Sequence, residues 1–213
     1  MKPYYEDGSV TIYHGDCREV LPAIDVSDVD LLLADPPYGM NYQHGARKGG
    51  ALLGFDGEAV VGDDKPFDPT PFLGFPNIIL WGANHYADKL PPSRGWLVWD
   101  KRGGITPNDQ SDCELAWTNF SGTARLFFRY WNGGGIGEER YHPTQKALGL
   151  IRWCIELAPA TRTVLDPYMG SGTTLRAAKD LGRHAIGIEI EERYCEIAAK
   201  RLSQETLGLD VPA

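Results

Sequence analysis

The chain has 213 residues, 42% hydrophobic and 23% charged, with a net charge of −8 and a pI near 5.1. Such a composition fits a globular protein with a sizeable core and excludes a disordered or fibrous chain. It also excludes a broad cationic surface as the main way of holding nucleic acid, so any such contact must be local.

In chain order, VTIYHGD (10–16) reads as a strand, DCREVLPAI as a short helical turn and VDLLLAD (29–35) as a second strand. The second shows no alternation, which predicts burial on both faces, as in a parallel sheet. Residues 39–76 are rich in Gly, Pro and Asp and read as a long loop. NIILWG (77–82), GWLVWDK (95–101), CELAWTN (113–119) and ARLFFRYW (124–131) read as strands, and WNGGGIGEER as a connector. Apolar positions at Leu148, Ile151, Trp153, Cys154 and Ile155 predict an amphipathic helix over 144–157. TVLDPYMGSGTTLRAAKDLG then gives strand, glycine-rich turn and helix, HAIGIEI a strand, and EERYCEIAAKRLSQE a closing helix. Strands alternating with helices predict an α/β fold on a parallel sheet, in one domain over 1–213.

Several residue types are assigned no chemistry. Cys17, Cys113, Cys154 and Cys195 lack the spacing of a zinc site or disulfide framework and are expected to be reduced. Trp81, Trp96, Trp99 and Trp117 fall in strand-like runs and are expected in the core. His85 has no partner at metal spacing, and no metal is assigned. No apolar run reaches the roughly 18 residues that span a bilayer, and MKPYYEDGSV lacks the apolar stretch of a secretory signal. A cytoplasmic location without a membrane partner is expected.

Two strand ends carry candidate chemistry. In VLDPYMGSGTTL the strand ends at Asp166, and Gly170 and Gly172 allow a tight turn into a helix starting near Thr173. A helix N-terminus at the carboxyl edge of a sheet makes room for a ligand. One strand later Glu189 ends HAIGIEI, where an acid can accept hydrogen bonds from ribose hydroxyls. A glycine turn alone is a weak signal; the position of Glu189 strengthens it. The turn is neither the G-x-G-x-x-G fingerprint nor a P-loop, which favours a ligand with a ribose and no pyrophosphate, such as S-adenosylmethionine.

The other strand end is LLLADPPYGMNY (31–42), which runs from apolar residues into Asp35. Pro36 and Pro37 fix their own φ and bias the residue before each, so the local carbonyls point in set directions. A carboxylate and a fixed carbonyl are two aimed acceptors, which suit an amino group with two hydrogens, such as adenine N6 or cytosine N4. Accepting both hydrogens would free the nitrogen lone pair for attack on a sulfonium methyl, and Tyr38 would stack on a base taken out of its duplex. Alone, the stretch reads equally as a rigid turn; a second ligand turn on the same sheet favours the chemical reading.

At this point the sequence resembles the amino-group DNA methyltransferases with a DPPY motif. The likeness rests on HGDCREVLP (14–22), DPPY (35–38), HPTQK (142–146), LDPYMGSGTT (165–174) and GIEIEERYCEIAAKRL (187–202), which span nearly the whole chain. The catalytic motif precedes the cofactor turn, an order similar to the permuted β group, and LWGANHYADKLP and WLVWDKR resemble its small solitary, often phage-borne members. The resemblance implies a Rossmann-like methyltransferase sheet, mostly parallel with one antiparallel strand, S-adenosylmethionine as methyl donor, and a bacterial cell or phage-infected host.

By motif, it gives Asp35, Pro36, Pro37 and Tyr38 to the target base. It gives Asp166, Gly170 and Gly172 to the methionine part of the cofactor, Glu189 to its ribose, Asp16 to its adenine, and Thr144 and Lys146 to its carboxylate, with Pro167, Ser171 and Thr173 also cofactor-binding. Asp at the first motif position resembles the adenine-N6 enzymes, with cytosine-N4 methylation as the alternative within the family. A dinucleotide oxidoreductase and a non-catalytic DNA-binding relative are the other readings. Double-stranded DNA with a flipped base is the expected partner.

The large target-recognition insertion of bigger members is missing. Short loops in 39–76 and 101–141 must then read the DNA, with a homodimer as one way to share the task. Arg47, Lys48, Lys101, Arg102 and Arg140 are candidate phosphate contacts, as are Arg125 and Arg129, though each also reads as a solvated face.

Overall fold

A computed structural model describes residues 1–41, 60–103, 111–130, 141–142 and 144–204. The elements run β1 (Tyr5–Glu6), β2 (Val10–His14), α1 (Cys17–Val20), β3 (Leu31–Ala34), β4 (Asn77–Trp81), β5 (Gly95–Asp100), β6 (Cys113–Thr118), β7 (Arg125–Phe128), α2 (Leu148–Leu157), β8 (Thr163–Asp166), α3 (Thr173–Asp180), β9 (His184–Glu189) and α4 (Glu192–Ser203). Among the described residues the strands form one sheet in the order β1-β2-β9-β8-β3-β4-β6-β5-β7.

Strands β2, β9, β8, β3 and β4 are mutually parallel. β6 runs antiparallel between β4 and β5, and β7 returns parallel on the β5 edge. β6 is the antiparallel strand the resemblance expects. A second one, β1, pairs with β2 over two residues, too short for hydropathy to reveal.

The unalternating strands are buried on both faces. Along β3 and β4, Leu31, Leu33, Ile79 and Trp81 join one core cluster with α2, α3 and α4. Leu32, Ala34, Ile78 and Leu80 join the other, with Phe67, Phe72 and Tyr86. Three α-helices therefore cover one face, while aromatic side chains from short 3-10 turns and loops cover most of the other. Trp81, Trp99 and Trp117 are buried, as expected for core packing. No helix among the described residues is long and apolar enough to cross a membrane.

Two boundaries differ from the sequence reading. The helix expected from residue 144 begins at Leu148, with Ala147 extended before it. Residues 144–146 stay out of the helix because the Gln145 and Lys146 side chains are drawn to different partners, described below. Of the strand expected over 124–131, β7 covers Arg125–Phe128 among the described residues, a sheet edge with Leu126 and Phe128 exposed, and Trp131 lies outside them.

Candidate active site

Parallel neighbours share a carboxyl edge, which is where open α/β sheets hold ligands. Reading across that edge, Asp16 lies just past β2, Glu189 ends β9, Asp166 ends β8, Asp35 lies just past β3 and Gly82 just past β4. A cleft lined by Glu6, Asp25, Thr163 and His184 lies at the opposite edge, where strands begin. It contains none of the expected site residues.

Asp35 is about one-fifth exposed and engaged on both oxygens. The Tyr38 hydroxyl donates to Oδ1 and the Lys146 ammonium to Oδ2. The Tyr38 ring stacks on His85, with centroids 4.9 Å apart and planes within 11°. Gly82 makes this possible: its φ is +69°, and a Cβ there would lie 1.9 Å from the Tyr38 ring. Beyond Tyr38, the amides of Gly39 and Met40 donate to the buried Asp63 carboxylate at 2.8 and 3.2 Å. Burial raises the Asp35 carboxyl above the ordinary carboxylate value; Lys146 opposes this and the charge of Glu114 adds to it. Burial, then Asp35, holds the Tyr38 hydroxyl well above its usual value, so it acts as a donor.

The glycine turn adopts the backbone its residues allow. Gly170 and Gly172 have φ of +51° and +81°, and Gly172 leads into α3. Pro167, Ser171 and Thr173 are buried in this turn. Glu189 Oε2 accepts the Gly170 amide at 2.9 Å, and Oε1 accepts the Glu191 amide at 2.8 Å. Asp166 is 4% exposed and accepts the Tyr168 amide at 3.0 Å; burial pushes its carboxyl up to about 7, against hydrogen bonds from Thr174 and Tyr168. Two buried acids on adjacent strands offer acceptors suited to a cation and to ribose hydroxyls, while the helix start beside them offers amides to an anionic group. Asp16 caps α1 through the Arg18 amide and also pairs with the Arg18 guanidinium.

The HPTQK segment joins the two strand ends. The Ser171 hydroxyl lies 3.4 Å from Gln145 Oε1, which also accepts the Tyr141 amide at 2.9 Å. The next residue, Lys146, reaches Asp35. The Asp35–Tyr38 stretch and the Gly170–Gly172 turn are thus linked by consecutive side chains. From α4, Arg201 donates to the Ser171 carbonyl and stacks over Tyr141, fixing the same junction. Thr144 is exposed and contacts the His142 ring at 3.1 Å.

Among the residues expected at a cofactor carboxylate, Lys146 stands apart. Its ammonium lies between Asp35 and Glu114, 3.1 Å from Glu114 Oε2. Two acids in a largely buried site outweigh the desolvation that alone would lower its pKa, and hold it above the ordinary lysine value. The phosphate candidates divide. Lys101 pairs with Glu114 at 3.0 Å and Arg102 with Asp112 at 3.3 Å, so carboxylates already engage both charges. Arg125 is exposed on β7, and Arg129 lies against Gly149. Arg47, Lys48 and Arg140 lie outside the described residues.

Sequence reasoning missed Glu114, Asp63, Gly82, Gln145 and Arg201. Gly82 carried a usable signal, a glycine directly after a buried strand beside the catalytic one. Glu114 carried none, since it sits in an ordinary strand pattern.

With this geometry in place, similarity to known proteins becomes informative. A family model described as DNA methylase matches residues 98–200. The Type II methyltransferase M.ScaI of Streptomyces caespitosus is 27% identical over 98% of this chain and 86% of its own. Over residues 98–200 the chain is similar to DNA methylases, and along nearly its whole length to Type II methyltransferases.

Solved structures of DNA methyltransferases share the fold. The M1.HpyAVI–SAM complex is 24% identical, with a TM-score of 0.53 over 90% of this chain and 99% of that one. The cytosine-N4-specific PvuII DNA methyltransferase has a TM-score of 0.63 at 15% identity, over 97% of this chain and 90% of that one.

Proposed function

We propose that this chain transfers a methyl group from S-adenosylmethionine to the N6 amino group of adenine in double-stranded DNA, as one methyltransferase domain over 1–213. The observation that supports this reading is the bridge from Ser171 through Gln145 and Lys146 to Asp35, which joins the Asp35–Tyr38 stretch to the Gly170–Gly172 turn. The relatives are methyltransferases, and one solved relative is an S-adenosylmethionine complex. Asp at the first position of the Asp35–Tyr38 motif favours adenine over cytosine.

When bound, S-adenosylmethionine supplies an electrophilic methyl on a sulfonium. Asp166 and the turn from Pro167 to Thr173 would hold its methionine part, Glu189 its ribose and Asp16 its adenine. Glu189 keeps acceptor capacity for hydroxyls, because each of its oxygens takes one backbone amide and has a second lone pair. Asp35 and a fixed proline carbonyl accept the two hydrogens of the target amine and favour the pyramidal nitrogen of the transition state. Tyr38, held at the mouth of the site by His85 and Gly82, offers its ring to a flipped base. The loops in 39–76 and 101–141 supply the DNA contacts, shared across a homodimer where one copy is too small.

The direct test is methylation of double-stranded DNA with labelled cofactor, followed by nucleoside analysis. N6-methyladenine is the expected product. N4-methylcytosine would overturn the choice of base, and no labelled nucleoside would overturn the reaction.

A second expected result concerns Asp166. A bound cation favours its ionised form, so below pH 7 cofactor binding releases a proton, and affinity falls about tenfold per unit of acidification. Above pH 7 affinity is flat. Without ligand the sign is reversed: a raised folded-state pKa contributes stability that is complete below the ordinary carboxylate value and is lost as pH rises to about 7. Calorimetry at pH 6 in buffers of different ionisation enthalpy measures the proton, and Asp166→Asn abolishes it. Equal proton release by the variant would remove Asp166 from the binding site.

A further inference from the structure

We propose that Glu114 and Lys101 are positioning residues for methyl transfer, acting through Lys146 to keep the Asp35 carboxylate open to the target amine. This rests on the reading above. The four groups form a chain of alternating charge along the carboxyl edge: Asp35 from the end of β3, Lys146 ahead of α2, Glu114 on β6 and Lys101 just past β5. Lys146 donates to Asp35 Oδ2 and lies 3.1 Å from Glu114 Oε2, while Glu114 Oε1 accepts from Lys101 at 3.0 Å. The formal charges cancel.

Each member answers a physical need. A buried carboxylate without a cation takes up a proton and can no longer accept two amine hydrogens. The other groups facing Asp35 are the Tyr38 hydroxyl, with His85 stacked behind its ring, the neutral Tyr86 hydroxyl, and the Asp166 and Glu114 carboxyl groups; none of these brings a cation as Lys146 does. An ammonium tied to Asp35 alone would compete with the amine for the same oxygens. Glu114 gives it a second acceptor, so Lys146 stays paired in the dry site when the amine takes its place on Asp35. Lys101 in turn balances Glu114 and keeps it ionised. Against the upward pull of burial, the two lysines hold the Glu114 carboxyl below its usual value.

The test compares kcat against pH for the wild type, Glu114→Gln and Lys101→Met, with cofactor saturating so that Asp166 stays ionised. Protonation of Asp35 sets the acid limb. Removing the Glu114 charge leaves Lys146 acting on Asp35 alone and moves the limb to lower pH. Removing Lys101 leaves more of the Glu114 charge uncompensated and moves the limb to higher pH. At neutral pH Glu114→Gln lowers kcat roughly tenfold while KM for DNA changes less than about twofold. Glu114→Asp recovers part of the loss and stands in for Glu114→Gln if that variant does not fold.

A purely structural cluster would lose stability in both variants without opposite shifts, so limbs moving together or not at all overturn the proposal. Carbon-13 titration of the Asp35 carboxyl in cofactor-free protein reads the same two shifts independently of turnover. Opposite shifts there, with no methyl transfer by the wild type, overturn the reaction and keep the charge chain.

Discussion

Asp35→Ala lowers kcat for methyl transfer by about three orders of magnitude, because it removes the charged acceptor that stabilises the amine in the transition state. Cofactor affinity stays within roughly tenfold, since the Gly170–Thr173 turn, Asp166 and Glu189 are held by bonds of their own. Asp35→Asn is the companion variant. It keeps the shape but replaces one acceptor oxygen with a donor, so its kcat falls nearly as far. Ala also leaves Lys146 paired with Glu114 alone, and a loss of stability is expected with it. Single-turnover kinetics and calorimetry separate chemistry from binding; near-normal turnover in either Asp35 variant would remove this carboxylate from the reaction.

Gly172→Val lowers the unfolding free energy by about 2–5 kcal/mol, summing left-handed backbone strain and overpacking. Gly172 has φ of +81°, and an added Cβ would stand 2.9 Å from the Ala198 Cβ on α4. From sequence alone this glycine serves close approach to a ligand. In the structure its lack of a side chain also admits α4 against the start of α3, so the substitution disturbs packing before it reaches the cofactor turn. Urea denaturation measures the loss. An unchanged midpoint with lower cofactor affinity would return Gly172 to a ligand role alone.

What the sequence discloses divides by range of interaction. Asp35, Asp166 and Glu189 stand out because each ends a strand buried on both faces, a pattern visible within a few residues. The turn at Gly170 and Gly172 is legible for the same reason. Glu114 is invisible because its role comes from β6 being inserted antiparallel between β4 and β5, which sets it opposite Trp99, diagonal to Lys101 and within reach of Lys146. The start of α2 was misplaced by four residues because the period of 144–157 says nothing of the pull that Asp35 exerts on Lys146 from 111 positions away. Asp63 was lost in a long polar stretch, where nothing local marks the acid that takes the amides after Tyr38.

Gln145 and Lys146 act as a splint between the two halves of the site, and this bears on the order of events. A ligand that moves Ser171 disturbs Gln145, and the neighbouring backbone carries the disturbance to the ammonium on Asp35. Under the proposed function this makes the sites for donor and acceptor of the methyl group thermodynamically coupled. Whatever factor cofactor occupancy contributes to base affinity, base capture must return to cofactor affinity, since the linkage is reciprocal.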